Sequence, residues 1–247
     1  MKKILYLCYH YDPDLSAGSF RNTALSRQLA YAAKDGYEIH LICTQPNRYS
    51  NLSETSPAYE VLGNLHIYRK EVPQHGNGFF KQILAFMAYR KSVLKQMETM
   101  RPDFIFASTS KLFTGFLAYQ IARRHRLKLY IYLRDLFAEN LKELIRLPIA
   151  NSFVSWFVRT YFEIPCLRYA QDISINSEGF RNNIPNGFKG RLHFFPNGID
   201  SYFLNWRQLE GLDTELKTVC YAGNIGEGQG LHKIIPELAK GLEKTHR

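Results

Sequence analysis

Residues 128–140 read KLYIYLRDLFAEN, and this stretch decides the fold. Leu129 to Leu133 is an unbroken run of leucine, isoleucine and tyrosine. Such a run suits an interior strand covered on both faces of a parallel sheet. It stops at Arg134-Asp135. Charges at the carboxyl end of a strand lie where open α/β sheets bind their ligands. The same two residues also suit a plainer role, with Asp135 capping the next helix and Arg134 held in a structural ion pair.

The pattern repeats on both sides of this strand. Apolar strand-like runs occupy 3–9, 37–44, 65–72, 104–109, 170–176 and 191–195. Helical stretches are expected over 20–33, 79–100, 110–123, 136–145 and 149–169. A further helix should begin at Ser177 as its N-cap, and Pro196-Asn197-Gly198 should make a tight turn. Strand–helix alternation of this kind implies an α/β fold, a Rossmann-like doubly wound parallel sheet over residues 1–200. Residues 201–216 are polar and without period, the character of a linker. Residues 217–247 read as a strand (217–222), a glycine-rich loop (223–230) and a helix (231–244). One βα unit cannot bury its own strand. A second α/β domain is therefore expected to begin here and not to finish, and the apolar face of its helix is expected to promote aggregation.

The chain of 247 residues carries a net charge of +10, which points to an anionic partner: nucleic acid, a phosphorylated substrate or anionic lipid. Nucleic acid is disfavoured, because no recognition helix, zinc spacing or RNA-binding aromatic signature is present. The cysteines, Cys8, Cys43, Cys166 and Cys220, form no CxxC pair and read as reduced core residues of a cytoplasmic protein. The apolar run after Met1-Lys2-Lys3 stops at Tyr9-His10, too soon for a signal peptide. No run approaches the length of a membrane span.

Two further segments bear on partners. Residues 10–22, HYDPDLSAGSFRN, lead from the first strand into a helix and contain Gly18. A strand, a glycine-containing loop and a helix N-terminus make an anion site in many α/β proteins, although a glycine here also serves a simple turn. The dinucleotide pattern GxGxxG is absent. In 79–100, the apolar Phe79, Phe80, Ile83, Leu84, Phe86 and Met87 share a helix with Lys81, Arg90, Lys91 and Lys95, and Arg101 follows. A basic amphipathic helix either docks on an anionic membrane surface or covers the sheet with its charged side in water.

Taken in order, Gly18 and Arg21 in the early loop, RDLFAEN at 134–140, SEGF at 177–180, FPNGID at 195–200 and YAGNIGEGQGL at 221–231 resemble the family 4 glycosyltransferases of the GT-B fold. The resemblance covers nearly the whole chain and is strongest to bacterial enzymes that build capsule, O-antigen and other surface polysaccharides. It implies two Rossmann-like domains around a cleft, the first holding the acceptor and the second the nucleotide sugar. It also implies retention of anomeric configuration, with no metal and no cofactor.

By the same resemblance, Gly18 and Arg21 lie near the donor diphosphate. Arg134 stabilises the leaving diphosphate, Asp135 accepts a bond from a sugar hydroxyl, and Glu139 contacts another. Gly223, Asn224, Gly226, Gln229 and Gly230 belong to the donor phosphate loop, with the N–H groups of Gly226, Gly228 and Gly230 cradling phosphate. Many relatives carry Arg and Lys where this chain has Asn224 and Gln229. Phe137, Ala138 and Asn140 stand where relatives have Trp, Pro and Ser. A pair of glutamates eight apart that grips the donor in relatives would fall beyond Arg247, so the chain is expected to be truncated and inactive alone.

The expected donor is a nucleotide sugar, in the first instance a UDP-sugar. The expected acceptor is a glycan or a polyprenyl-diphosphate-linked glycan, at the cytoplasmic face of the inner membrane. The alternatives are a non-catalytic acceptor-binding or membrane-recruiting subunit of a split GT-B enzyme, and a sugar-nucleotide epimerase of the same architecture.

Overall fold

β1 (Lys2–Leu7) lies inside a sheet of eight strands ordered β3-β4-β2-β1-β5-β6-β7-β8. The structure is a computed structural model. It describes residues 1–47, 56–73, 79–109, 112–135, 148–199, 204, 220–223 and 230–245. The chain divides into two units, Met1–Asn197 and Gly198–Arg247.

In the first unit the other strands are β2 (Tyr37–Thr44), β3 (Tyr59–Leu62), β4 (Leu65–Lys70), β5 (Phe104–Ser108), β6 (Lys128–Leu133), β7 (Asp172–Ile175) and β8 (Arg191–Phe194). All neighbours pair in parallel except β3 with β4. The chain leaves β1 in one direction to β2 and β4, then returns to the other side of β1 for β5, β6, β7 and β8. The order thus reverses between β1 and β5, and the carboxyl ends of these two strands flank the crevice where a doubly wound sheet binds ligand.

Both faces of the central strands are buried. Leu5 and Leu7 join a core layer with Phe86, Tyr89 and Val93 of α2 (Phe79–Thr99) and with Leu117, Ala118 and Ile121 of α3 (Leu112–His125). Tyr6 points the other way, into a layer with Ile39, Leu41, Ile67 and Ala30 of α1 (Ala17–Ala32). This two-sided burial explains why the strands read as continuous apolar runs. Tyr89 ties the first layer together. It is fully buried, and its hydroxyl donates to the carbonyls of Cys8 and Ile42, 2.9 Å each.

Several expectations need correction. The β6 strand is interior, between β5 and β7, but its burial alternates. Leu129, Ile131 and Leu133 are buried, while Tyr130 and Tyr132 are half-buried. The expected single helix over 149–169 is three pieces: α4 (Pro148–Val158), a π-helical turn (Arg159–Glu163) and α5 (Ile164–Tyr169). Ile164 N–H bonds back to Arg159 O, five residues away. Pro165 follows and supplies no N–H, so the wider turn takes up the mismatch.

The helix expected from Ser177 is a short 3-10 segment (Glu178–Asn183), and Ser177 makes no side-chain capping bond. Residues 195–199 run on without a turn, because Phe195 N–H continues the sheet by bonding to Ile175 O at 2.9 Å. β3 was not anticipated. It forms a hairpin with β4 through Gly63-Asn64, where Gly63 adopts φ +63°, a conformation that costs glycine little. The expected helix over 136–145 lies outside the described residues.

In the second unit, α6 (Leu231–Thr245) carries exposed Ile234, Ile235, Leu238 and Leu242. Residues 220–222 of the expected strand over 217–222 are not in a strand; no neighbouring strand pairs with them among the described residues. Cys220 is exposed there, against the expectation of four core cysteines, whereas Cys8, Cys43 and Cys166 are buried. Among the described residues no helix is long and apolar enough to cross a membrane.

Tyr89→Phe removes the donor that two buried carbonyls share. It is expected to cost about 1–3 kcal/mol, seen as a lower urea midpoint at unchanged m-value.

Candidate functional site

The loop after β1 and the first turn of α1 form one wall of the crevice. Ser16 caps α1, its Oγ accepting from Ser19 N–H at 3.0 Å. The N–H groups of Ala17 and Gly18 have no hydrogen-bond partner among the described residues. These orphan donors and the helix dipole together make a positive end.

The face of α1 turned to the sheet is polar: Ser19, Asn22, Thr23 and Ser26 are buried. Each of the last three finds a partner. Asn22 accepts from Tyr6 Oη (3.1 Å) and donates to His10 O (2.9 Å). Thr23 Oγ1 accepts from Asp12 N–H at 3.2 Å, and Ser26 Oγ lies 2.9 Å from Tyr11 Oη. Hydrogen bonds therefore fix the height and rotation of α1 over β1 where a helix usually relies on apolar packing.

The second wall is the end of β6. Thr109 N–H bonds to Tyr132 O at 3.0 Å, and Thr109 Oγ1 accepts from Arg134 N–H at 3.2 Å. This aims Arg134 across the crevice. Its guanidinium reaches the first turn of α1, with Nη1 3.4 Å from Gly18 O and Nη2 3.4 Å from Ala17 O. It sits 5.8 Å from the centre of the Tyr132 ring. Arg134 is only 6% exposed, and its Nε is buried without a hydrogen-bond partner among the described residues. Burial lowers its pKa, and the charge of Arg21 lowers it further, against Tyr132, Asp135 and Tyr6. Asp135 reaches the surface. Burial of the site still raises its pKa, and the attraction of Arg134 and Arg21 only partly offsets this.

Residues more than a hundred positions apart thus meet, Arg134 with Ala17 and Gly18, and the charges of Arg21 and Asp135 are near enough to act on the guanidinium. Two like charges and a helix N-terminus face one exposed carboxylate. A buried cation held by two long bonds to carbonyls, with one N–H unpaired, is an incomplete arrangement. An anion entering the crevice would complete it.

Of the other residues expected at the site, Glu139, Asn224, Gly226, Gly228 and Gln229 lie outside the described residues. Gly223 and Gly230 are in the second unit. Gly230 has φ +64° and its carbonyl accepts from Lys233 and Ile234 N–H at the start of α6, so glycine serves a left-handed helix entry there.

Two features escaped sequence reasoning. His10 Nδ1 lies 2.7 Å from Asp14 Oδ2, and both side chains are buried at the mouth of the first loop. The spacing H-x-x-x-D was visible, but only the fold of the loop shows that it closes on itself. Glu163 is buried on the π-helical turn and shares a small cavity with Asp135, Thr109 and Cys166. A glutamate two residues before Pro165 was the available signal. A larger cavity of about 650 Å³ lies at the opposite edge of the sheet, lined in part by Arg90, Met97, Arg101, Arg124 and His125. The unsatisfied buried cation is at the carboxyl edge, so the site is placed there.

A doubly wound sheet with a cationic crevice at its switch point defines a Rossmann-like domain. The family model of Glycosyltransferase Family 4 matches residues 23–202, and the chain belongs to that family. No curated protein matches it. Among solved structures it is similar to sucrose-phosphate synthase from Thermosynechococcus elongatus, at 13% identity and a TM-score of 0.57, over 81% of this chain and 49% of that one. A shorter chain of the same enzyme matches at 12% identity and a TM-score of 0.51, over 80% of this chain and 90% of that one. The chain thus spans about half the length of the first of these, and identities this low speak for the fold alone.

The raised pKa of Asp135 gives a signed expectation. Ionising a group whose folded pKa is raised costs stability. That cost is absent below the unfolded carboxylate pKa of about 3.9 and grows as pH rises through the raised folded value. Asp135→Asn should therefore be no less stable than the parent at neutral pH, by a margin within about 0.5 kcal/mol for so exposed a group. Thermal melts at several pH values should show the difference vanish in acid.

Proposed function

We propose that this chain is the acceptor-side part of a retaining glycosyltransferase. It would transfer a sugar from a nucleotide sugar, a UDP-sugar in the first instance, to a glycan or lipid-linked acceptor of a surface polysaccharide. The observation that carries the reading is the buried Arg134 guanidinium, unpaired at Nε and set against the first turn of α1 beside Arg21. Membership of the family supports it.

In sugar transfer the bond from the anomeric carbon to the diphosphate breaks, and negative charge builds on the leaving oxygens. Fixed donors already aimed at that charge lower the barrier without reorganising. Arg134, Arg21 and the free N–H groups of Ala17 and Gly18 are such donors. Asp135, next to them and open to solvent, suits a hydrogen bond from a hydroxyl of the donor or acceptor sugar. No metal is assigned a part in the transfer.

The acceptor side carries a second feature. The outer side of α2 exposes Lys81, Leu84, Met87, Lys91 and Lys95, and Phe153, Trp156 and Phe157 are exposed on α4. Lysines beside exposed apolar side chains suit peripheral contact with an anionic membrane, where a lipid-linked acceptor would be presented.

The first reading is tested by calorimetric titration with UDP. Arg134→Gln is expected to weaken binding at least about tenfold, since a hydrogen bond to a charged group contributes about 1.5–3 kcal/mol. Equal affinities for parent and variant would refute the assignment. For the membrane reading, Lys81→Glu combined with Lys91→Glu and Lys95→Glu should reduce cosedimentation with anionic liposomes and leave neutral liposomes unaffected.

A further inference from the structure

At the other end of the strands, three side chains converge that the transfer reaction does not use. Glu38 and His40 lie two residues apart on β2 and so share a face. His66 on β4 is the register partner of His40. The two imidazoles stack at 4.7 Å with an angle of 11° between planes. Glu38 Oε2 is 3.3 Å from His40 Nε2. One ligand atom from each of the three residues lies within 4.8 Å of the others. His40 is buried, and Glu38 and His66 are half-buried, so the cluster is part of the sheet yet open to solvent on one side.

The outer nitrogens are already committed. Tyr59 Oη lies 2.8 Å from His66 Nδ1, and Tyr68 Oη lies 3.2 Å from His40 Nδ1. When the Tyr59 hydroxyl accepts from His66 Nδ1–H, the lone pair of that neutral ring is on Nε2, while at His40 the ion would replace the Nε2 proton that Glu38 accepts. Metal-binding histidines are oriented in this way, by a hydrogen bond to the nitrogen away from the metal. The spacing of Glu38 and His40 also fits, and the His66 ring, stacked on His40, would turn to bring its Nε2 in from within 4.8 Å. A tetrahedral ion with bonds of about 2.0–2.1 Å holds its ligands about 3.3 Å apart, the gap already present between Glu38 and His40. The remaining cation at hand is Lys3, whose Nζ is 3.8 Å from Glu38 Oε2. Contact that loose leaves the carboxylate available.

We propose that Glu38, His40 and His66 form a site for one divalent transition-metal ion of the zinc class, with a water molecule in the fourth position. Two nitrogens and one carboxylate oxygen are a donor set that favours such an ion over calcium or magnesium. The ion would clamp β2 to β4 and, through Tyr59, to the edge strand β3. Its role would be structural, on the sheet edge remote from Arg134.

The test uses the full chain, stripped with EDTA and titrated with Co²⁺ and with Zn²⁺. The proposal expects one Co²⁺ per chain with the visible absorption of a tetrahedral centre, displacement by Zn²⁺, and a higher melting temperature in Zn²⁺. His66→Gln changes a half-buried residue and should fold. It should lower affinity by more than about tenfold and abolish the thermal shift, and Tyr59→Phe should lower affinity by about tenfold through the freed imidazole. Glu38→Gln should turn the cobalt spectrum away from the parent's. An unchanged stoichiometry and affinity in His66→Gln would place the ions on other histidines and overturn the proposal. So would failure of the parent to take up either ion, which would leave Glu38 and His40 as a hydrogen-bonded pair only.

Discussion

The Arg134 guanidinium spans the crevice from the end of β6 to the carbonyls of Ala17 and Gly18. That contact is weak in itself, yet the site depends on it. It takes a buried cation past the strand end and sets it beside a helix N-terminus, where the local field is already positive. Arg21 adds a second cation. A chain under selection for stability alone would place a carboxylate there, because removing partners from a buried charge is costly. Asp135 is present but exposed, and the Nε of Arg134 has no partner among the described residues. Under the proposed function the missing half of this ionic contact is the diphosphate of the donor.

Two features of the scaffold make this possible. The reversal of strand order between β1 and β5 opens the crevice, and the polar underside of α1 fixes the helix that borders it. Asn22, Thr23 and Ser26 each bond to the strand or loop below. Bonds with defined angles hold α1 in one rotation, so its first turn is presented to Arg134 at a fixed distance. Apolar packing alone would tolerate a slide that the guanidinium contact would not.

Much of this was legible in the sequence. The apolar runs gave the strands because a sheet covered on both faces demands them, and the abrupt end of 129–133 at Arg134-Asp135 marked the carboxyl end of β6, where the candidate site is placed. The motifs around Gly18, Arg21 and 134–140 pointed to the family whose model matches residues 23–202. Other features were hidden for physical reasons. The break in the helix at 159–163 follows from Pro165, but a proline alone does not say whether a helix bends, stops or widens. The hairpin at Gly63-Asn64 was overlooked because β3 is short. The His10–Asp14 pair and the buried Glu163 arise from loop and turn geometry with no periodic signature. The cluster of Glu38, His40 and His66 needs the register of β2 against β4, which is a property of the sheet and not of either strand.

The proposed site requires that the buried Arg134 nitrogen take up an anion. The most direct measurement is the arginine side-chain ¹⁵Nε–¹Hε spectrum of the protein, with the Arg134 signal assigned by substitution, recorded as UDP is added. The Arg134 resonance should move with the characteristics of a newly formed hydrogen bond, together with the backbone amides of Ala17 and Gly18. If UDP binds and those three signals stay in place while others shift, the diphosphate lies elsewhere, and the crevice between β6 and α1 is not the site.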